Sequence, residues 1–192
     1  EAKGKKVRFI YSWDDFDRFR KVPKGVPEEY EKYLGMPISE IPSPHDDSMS
    51  YAEYNEKKFE DSLKSALVNP VFIRQNEMNK KCAYAEFIKV ALDSVDDIKE
   101  ILNKFRKESL VDSWLPIMVY CDKCKKDLTK ITKIDDYNVS YECECGFGET
   151  FDIRKKGIVK LVWRVDWNPF HWRNSRPIIS TRAKSRPCPK AK

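Results

Sequence analysis

Four cysteines constrain this chain more than any other feature of its sequence. Cys121 and Cys124 stand two residues apart, eighteen residues follow, and Cys143 and Cys145 close the set with one residue between them and Gly146 behind. This is close to the spacing of a zinc ribbon, in which two hairpin knuckles bring four thiolates to a tetrahedral ion. So small an all-strand module has little core of its own, and a structural metal then supplies on the order of 10 kcal/mol of its folding free energy. Lys123, Lys125 and Lys126 flank the first pair and favour thiolates. Cys121, Cys124, Cys143 and Cys145 together would close the coordination sphere, making the zinc structural rather than catalytic. The second pair is one residue shorter than the usual knuckle, and the same four residues also fit metal-free thiols or disulfides. Cys82 and Cys188 stand alone, and Cys82, on a helical stretch, reads as a small core residue.

Composition decides the compartment in which those thiols are read. No apolar run approaches the roughly 20 residues of a membrane-spanning helix, and the first ten residues, EAKGKKVRFI, carry no apolar signal core. The expectation is a cytoplasmic chain with no membrane partner, in a reducing compartment where close cysteine pairs more often bind metal than each other. With 41% hydrophobic and 35% charged residues in 192, the chain can bury a core and is not disordered throughout. The formal charge of +6 is uneven, because residues 173–192 hold seven basic and no acidic residues, leaving the other 172 at −1. That proline-bearing stretch cannot offset its ordering entropy and reads as a flexible basic tail.

Local patterning places short elements along the body. Val7 to Ser12 reads as a strand whose C-terminal end, at Trp13, meets an acidic cluster and then a basic one. In open α/β sheets such strand ends line the ligand crevice. Five prolines between Val22 and Pro44 brace a connection with one short helical candidate, Glu28 to Leu34. Tyr51 to Leu67 repeats apolar residues as a helix, with Tyr51, Tyr54, Phe59, Leu63 and Leu67 on one face. Val71 to Arg74 is a brief strand, and a longer helical region runs from about Asn79 to Leu110 with a capped restart at Ser94. After Pro116 the pattern becomes short strands, IMVYC, DLTKITKI, NVSYEC and ETFDI, followed by the very hydrophobic Ile158 to Val165.

Five peptides read in series, WDDFDRFRKVP from Trp13, YLGMPISEIP from Tyr33, SYAEY from Ser50, EILNKFRK from Glu100 and KLVWRVDW from Lys160, make the chain similar to the class I lysyl-tRNA synthetases over about residues 7–167. The resemblance implies an α/β fold: a partial Rossmann-type catalytic domain with a helical connective insertion and a small zinc-ribbon-like β module. In those terms residues 1–23 are partial catalytic domain, 24–118 a mainly helical connective region and 119–158 the zinc module. Residues 159–172 are the return strand and 173–192 the divergent tail. The implied activity is that of a lysine-tRNA ligase, activating lysine with ATP and transferring it to tRNA(Lys). By resemblance, Asp14, Asp15, Asp17 and Arg18 after the first strand, and Arg164, Asp166 and Trp167 after the last, lie near the lysine and adenylate pocket. Carboxylates suit a substrate ammonium, and cationic donors suit an adenylate and its phosphates. The other reading of the acidic cluster is a structural ion-pair network at a strand end.

The departures from the family carry weight too. Its two phosphate-binding signatures, an early H-I-G-H-like motif and a late K-M-S-K-S-like loop, do not occur in the sequence. Since adenylate formation depends on electrostatic stabilisation of the transferring phosphate, the chain alone is expected not to aminoacylate. Residues 168–192 diverge from the family, as either a shifted reading frame or a basic arm on RNA phosphates would. Three readings follow: a ligase fragment inactive by itself, a non-catalytic tRNA- or RNA-binding module using the zinc ribbon and tail, or a ligase whose missing halves lie on another chain. His45, Asp46 and Asp47 offer a partial second metal site or a solvated acidic turn. His171 reads as a surface residue.

Overall fold

The computed structural model describes residues 9–162 and Val165 as a mixed helix and sheet structure. The first strand, β1 (Ile10–Trp13), stops where two aspartates begin, and it pairs in parallel with β2 (Val71–Arg74), Ile10 opposite Val71 and Trp13 opposite Arg74. A parallel pair needs a crossover, and residues 14–70 provide it. Tyr11, Trp13, Phe59 and Phe72 close over the pair as one ring cluster, with Trp13 and Phe59 5.3 Å apart edge to face. β1 ends one residue beyond the Val7 to Ser12 run, whose first two residues lie outside the described residues.

The proline-rich crossover builds its own small core from Phe19, Tyr30 and Ile41. The expected helix at Glu28 to Leu34 is a 3₁₀ turn over Glu28–Tyr33. Bounded by Pro27 and by Gly35, six residues are too few for an α-helical ladder, and the tighter i to i+3 bonds win. The helix α1 (Tyr51–Ser65) starts at a capping box: Ser50 Oγ accepts from the Glu53 amide while the Glu53 carboxylate accepts from the Ser50 amide. Its fully buried residues are Ala52 and Glu56; of the expected apolar series, Tyr51 packs half-buried on Phe19 and Phe59 on Tyr11 and Trp13, while Leu67 lies past the helix end almost wholly exposed. Part of the inner face of α1 is ionic, where Glu56 and Glu60 meet Arg74.

The long helical region is three short helices, α2 (Gln75–Lys80), α3 (Ala85–Asp93) and α4 (Val95–Asn103). Cys82 adopts a left-handed conformation between α2 and α3 and is partly exposed, so it is a turn residue and not part of a core. The restart at Ser94 is present, with Asp96 and Asp97 in the first turn of α4, although the serine side chain makes no cap bond. Beyond it, β3 (Ile117–Val119) and β7 (Val159–Leu161) run antiparallel. The strands β4 (Thr129–Asp135), β5 (Asn138–Cys143) and β6 (Gly148–Asp152) form an antiparallel meander between them.

The cysteine-bearing strands are less short of core than their length suggests. Tyr84, at the N-cap of α3, and Ala85, Ile88 and Ala91 within it pack with Val119, Val139, Tyr141, Phe151, Ile153 and Val159 in one continuous cluster. Among the described residues, no helix is long and apolar enough to cross a membrane.

One glycine shows how tightly the helices and strands meet. A Cβ on Gly157 would lie 2.1 Å from the Asn79 carbonyl oxygen and 2.5 Å from Lys80 Cα, both backbone atoms that cannot swing away. Gly157→Ala should therefore cost at least about 1–3 kcal/mol, lowering the midpoint of thermal unfolding by several degrees in circular dichroism.

Candidate metal centre and acidic strand end

The two cysteine pairs converge. All four Sγ atoms lie within 4.8 Å of one another, with Cys121 to Cys145 at 3.7 Å and Cys124 to Cys143 at 3.6 Å. Four sulfurs at 2.3 Å from a tetrahedral ion stand about 3.8 Å apart, so the spacing suits a metal. It does not suit disulfides, whose sulfurs are bonded at about 2.05 Å, and these cysteines are free. Among the described residues, this is the one group of three or more metal-type side chains close enough to share an ion. His45, Asp46 and Asp47 are not gathered in that way. Asp46 instead closes a turn by accepting from both the amide and the hydroxyl of Ser48, and His45 stacks near Tyr54.

The knuckles are built alike. Lys125 follows the first pair and Gly146 the second, each with positive φ, so that the backbone turns back beneath the sulfurs. Burial raises the Cys121 thiol, but amides of Cys124 and Lys123 donating to its sulfur outweigh this and bring it down to about 7. Burial and the neighbouring thiols push Cys143 up to about 12. Metal-free, the cluster cannot ionise all its thiols; a divalent cation would offset their mutual repulsion.

The acidic strand end sits against this module. Asp15 is buried, and its Oδ1 accepts from the Asn76 amide at 2.7 Å, tying β1 to the start of α2. Burial pushes its carboxyl up to about 7, with that hydrogen bond opposing. Asp14 is exposed, and its carboxylate has no hydrogen bond or ion pair among the described residues; desolvation by its surroundings, then Asp17, raises it against the pull of Lys160 and Arg20. Asp17 pairs with the buried Lys160 of β7 and lies 3.8 Å from Arg20. Arg18 pairs with the buried Asp127 at 3.0 Å. The Tyr120 hydroxyl donates to the Phe16 carbonyl at 3.0 Å. Arg164, Asp166 and Trp167 lie outside the described residues, as do His171, Cys188 and the basic tail.

Several residues of this neighbourhood escaped the sequence reading. Arg74 bonds Glu56 at 2.8 Å and Glu60 at 2.7 Å, and Glu60 also accepts from the Trp13 indole. Glutamates four apart, in line with Ala52, were the available signal, since i, i+4 positions share a helix face. Lys160 was marked by lying between Val159 and Leu161 in the most apolar strand. Asp127, among the knuckle lysines, had no such mark.

With the geometry in hand, comparison with known proteins places the chain. A family model described as tRNA synthetases class I (K) matches residues 1–175, and the chain belongs to that family. Its curated relatives are lysine–tRNA ligases. It is 45% identical over 173 residues to that of Borreliella burgdorferi, covering 88% of this chain and 33% of the relative. To that of Pyrococcus horikoshii it is 44% identical over 174 residues, 88% of this chain and 33% of the relative. To that of Treponema pallidum it is 40% identical over 169 residues, 85% and 32% respectively. The chain thus spans about a third of the length of the curated relatives it matches.

Two outcomes are expected. The chain should bind one equivalent of Co(II) with the intense thiolate-to-metal absorption of a tetrahedral sulfur site, and Cys124→Ser should lose it. For Asp15, a folded pKa near 7 lies above the unfolded value near 4, so the native state holds the extra proton between them. Stability should fall as pH rises through that window, by up to about 1.4 kcal/mol per pH unit. Asp15→Asn keeps an acceptor for Asn76 but cannot titrate, so denaturant curves from pH 4 to 8 should show the wild type losing stability relative to the variant.

Proposed function

We propose that this chain is the part of a class I lysine–tRNA ligase that carries the lysine side of the active site together with the connective module. The whole enzyme activates lysine with ATP and transfers it to tRNA(Lys) in the cytoplasm. The observation that carries this reading is 40–45% identity along 85–88% of the chain to proteins named lysine–tRNA ligase. In this reading residues 1–23, with β1, belong to a Rossmann-type catalytic domain, and residues 24–118, whose β2 pairs with β1, to the connective region. Residues 119–158 are a zinc ribbon, and 159–172 return the chain to the catalytic domain. Cys121, Cys124, Cys143 and Cys145 hold a structural zinc, which supplies cohesion and no chemistry.

The site residues take different parts. Asp14, at the end of β1 and without a partner among the described residues, is the carboxylate free to meet a substrate ammonium. Asp17 and Arg18 are engaged by Lys160 and Asp127, so they shape the pocket wall and its potential instead of contacting substrate as a pair. Asp15 is turned inward and holds the loop. Arg164, Asp166 and Trp167 complete the pocket by resemblance. The phosphates of ATP need the two family signatures that these 192 residues do not contain.

The polypeptide alone should give no lysine-dependent pyrophosphate exchange, yet should bind a non-hydrolysable lysyl-adenylate analogue better than its norleucine counterpart, which lacks the ammonium. Asp14→Asn should weaken the lysyl analogue at least tenfold, about 1.4 kcal/mol, in calorimetry, without lowering the melting temperature. Equal binding of the two analogues would overturn the assignment of Asp14. Binding of neither, alongside RNA affinity that falls steeply with salt, would favour the RNA-binding module.

A further inference from the structure

Three successive residues after β1 are each gripped from a different place, two by the cysteine-bearing module and one by the strand β7 that follows it. The Tyr120 hydroxyl at the end of β3 holds the Phe16 carbonyl, Lys160 of β7 holds Asp17, and Asp127, just beyond the first knuckle, holds Arg18. The third grip leads to the sulfurs by the shortest path. The Lys126 carbonyl accepts from the Cys121 amide at 2.8 Å, closing the knuckle, and the next residue is Asp127. The Asp127 amide donates to the Gly35 carbonyl at 2.9 Å, the Gly35 amide to the Phe19 carbonyl at 3.0 Å, and the Phe19 amide to the Met36 carbonyl at 2.7 Å. Asp127 therefore holds residues 16–19 twice, through Arg18 and through the Gly35 turn.

The approach at this point is close. Gly35 has φ of +88°, and a Cβ there would lie 2.8 Å from Asp127 Oδ1. The Asp127 side chain is 3% exposed, and its Oδ1 has no hydrogen-bond partner among the described residues. A carboxylate buried this way is strongly unfavourable without its cation, so parting Asp127 from Arg18 costs more than breaking a surface ion pair.

We propose that the cysteine module is a clamp on the acidic strand end, that Asp127 is a positioning residue acting through Arg18, and that a metal ion on the four cysteines closes the clamp. Without an ion the two knuckles are joined only through their flanks, where the Glu144 amide donates to the Leu128 carbonyl at 3.1 Å and the Asp122 amide to the Tyr141 hydroxyl at 2.9 Å, so the Lys126 to Asp127 step loses the restraint that the sulfurs would add. With the ion bound, the order of residues 14–20 follows from the order of the knuckle. The inference goes beyond the assignment of substrate, because it concerns what holds the loop and not what the loop meets.

Peptide-resolved hydrogen exchange on the 192-residue chain tests it, with the chain loaded with one equivalent of Zn(II) and again after chelation. Asp127→Asn should raise exchange at least tenfold over residues 14–20 and 33–37, while β5 and β6 stay protected and Zn(II) remains stoichiometric. Chelation should release 14–20 and the knuckles together. The charge-reversed pair Arg18→Asp with Asp127→Arg should regain part of the protection lost by either single change. Should Asp127→Asn not fold, Arg18→Met removes the pair from its exposed side and should give the same local release. Equal exchange over 14–20 in the loaded, chelated and variant chains would overturn the clamp. So would loosening spread evenly along the chain in both variants, since that is ordinary loss of stability.

Discussion

Bringing four sulfur atoms within 4.8 Å of one another is the constraint on which the rest of the molecule turns. Thiols at this distance do not attract one another strongly, and as thiolates they repel, so the knuckles converge productively only around a cation. That convergence fixes where Cys121 and Cys124 lie, and with them the residues on either side. Tyr120 precedes the pair and Asp127 follows it, and both reach the loop after β1. A structural centre in one part of the chain thereby sets the position of charged residues a hundred positions earlier.

The contacts that join the two parts are largely polar and partly buried, and this has consequences for specificity. Lys160, Asp127, Asp15 and Glu56 are all shielded from water, and a buried charge is tolerated only with partners in good geometry. Apolar packing at these places would be at least as stabilising but would accept sliding by a residue or two. Asp17 on Lys160 and Arg18 on Asp127 allow one register, since shifting the loop would leave buried charges unpaired. Arg74 between Glu56 and Glu60 does the same for the angle between α1 and the parallel strands.

Membership of the class I synthetase family gives this arrangement a setting. In the reading proposed above, charged side chains at the end of β1 meet a ligand while a long connection follows the strand. The contacts of Phe16, Asp17 and Arg18 show how residues a hundred or more positions later support the end of β1. Of the acidic residues at the end of β1, Asp17 is engaged by Lys160 of β7 and Asp15 by the Asn76 amide of α2, while Asp14 is exposed, so partners and not residue type set the three apart.

What could be read from the sequence, and what could not, divides along the range of the interactions. The cysteine spacing, the strands of the meander, the start of α1 at Ser50 and the restart at Ser94 rest on contacts within a few residues, and local chemistry decides them. The family peptides likewise declared the ancestry. Cys82 as a turn, the ionic part of the inner face of α1, the shared core of α3 with the cysteine strands, and the separate fates of Asp14, Asp15, Asp17 and Arg18 depended on groups far away in the chain. Aspartates at neighbouring positions look alike to any local rule; burial against Asn76 or pairing with Lys160 distinguishes them only once the chain has closed. The sequence by itself determined a four-cysteine centre on short strands and charges at the end of a strand. The tertiary structure alone decided that the centre holds those charges, because the free energy of a buried ion pair depends on which partner the fold brings to it.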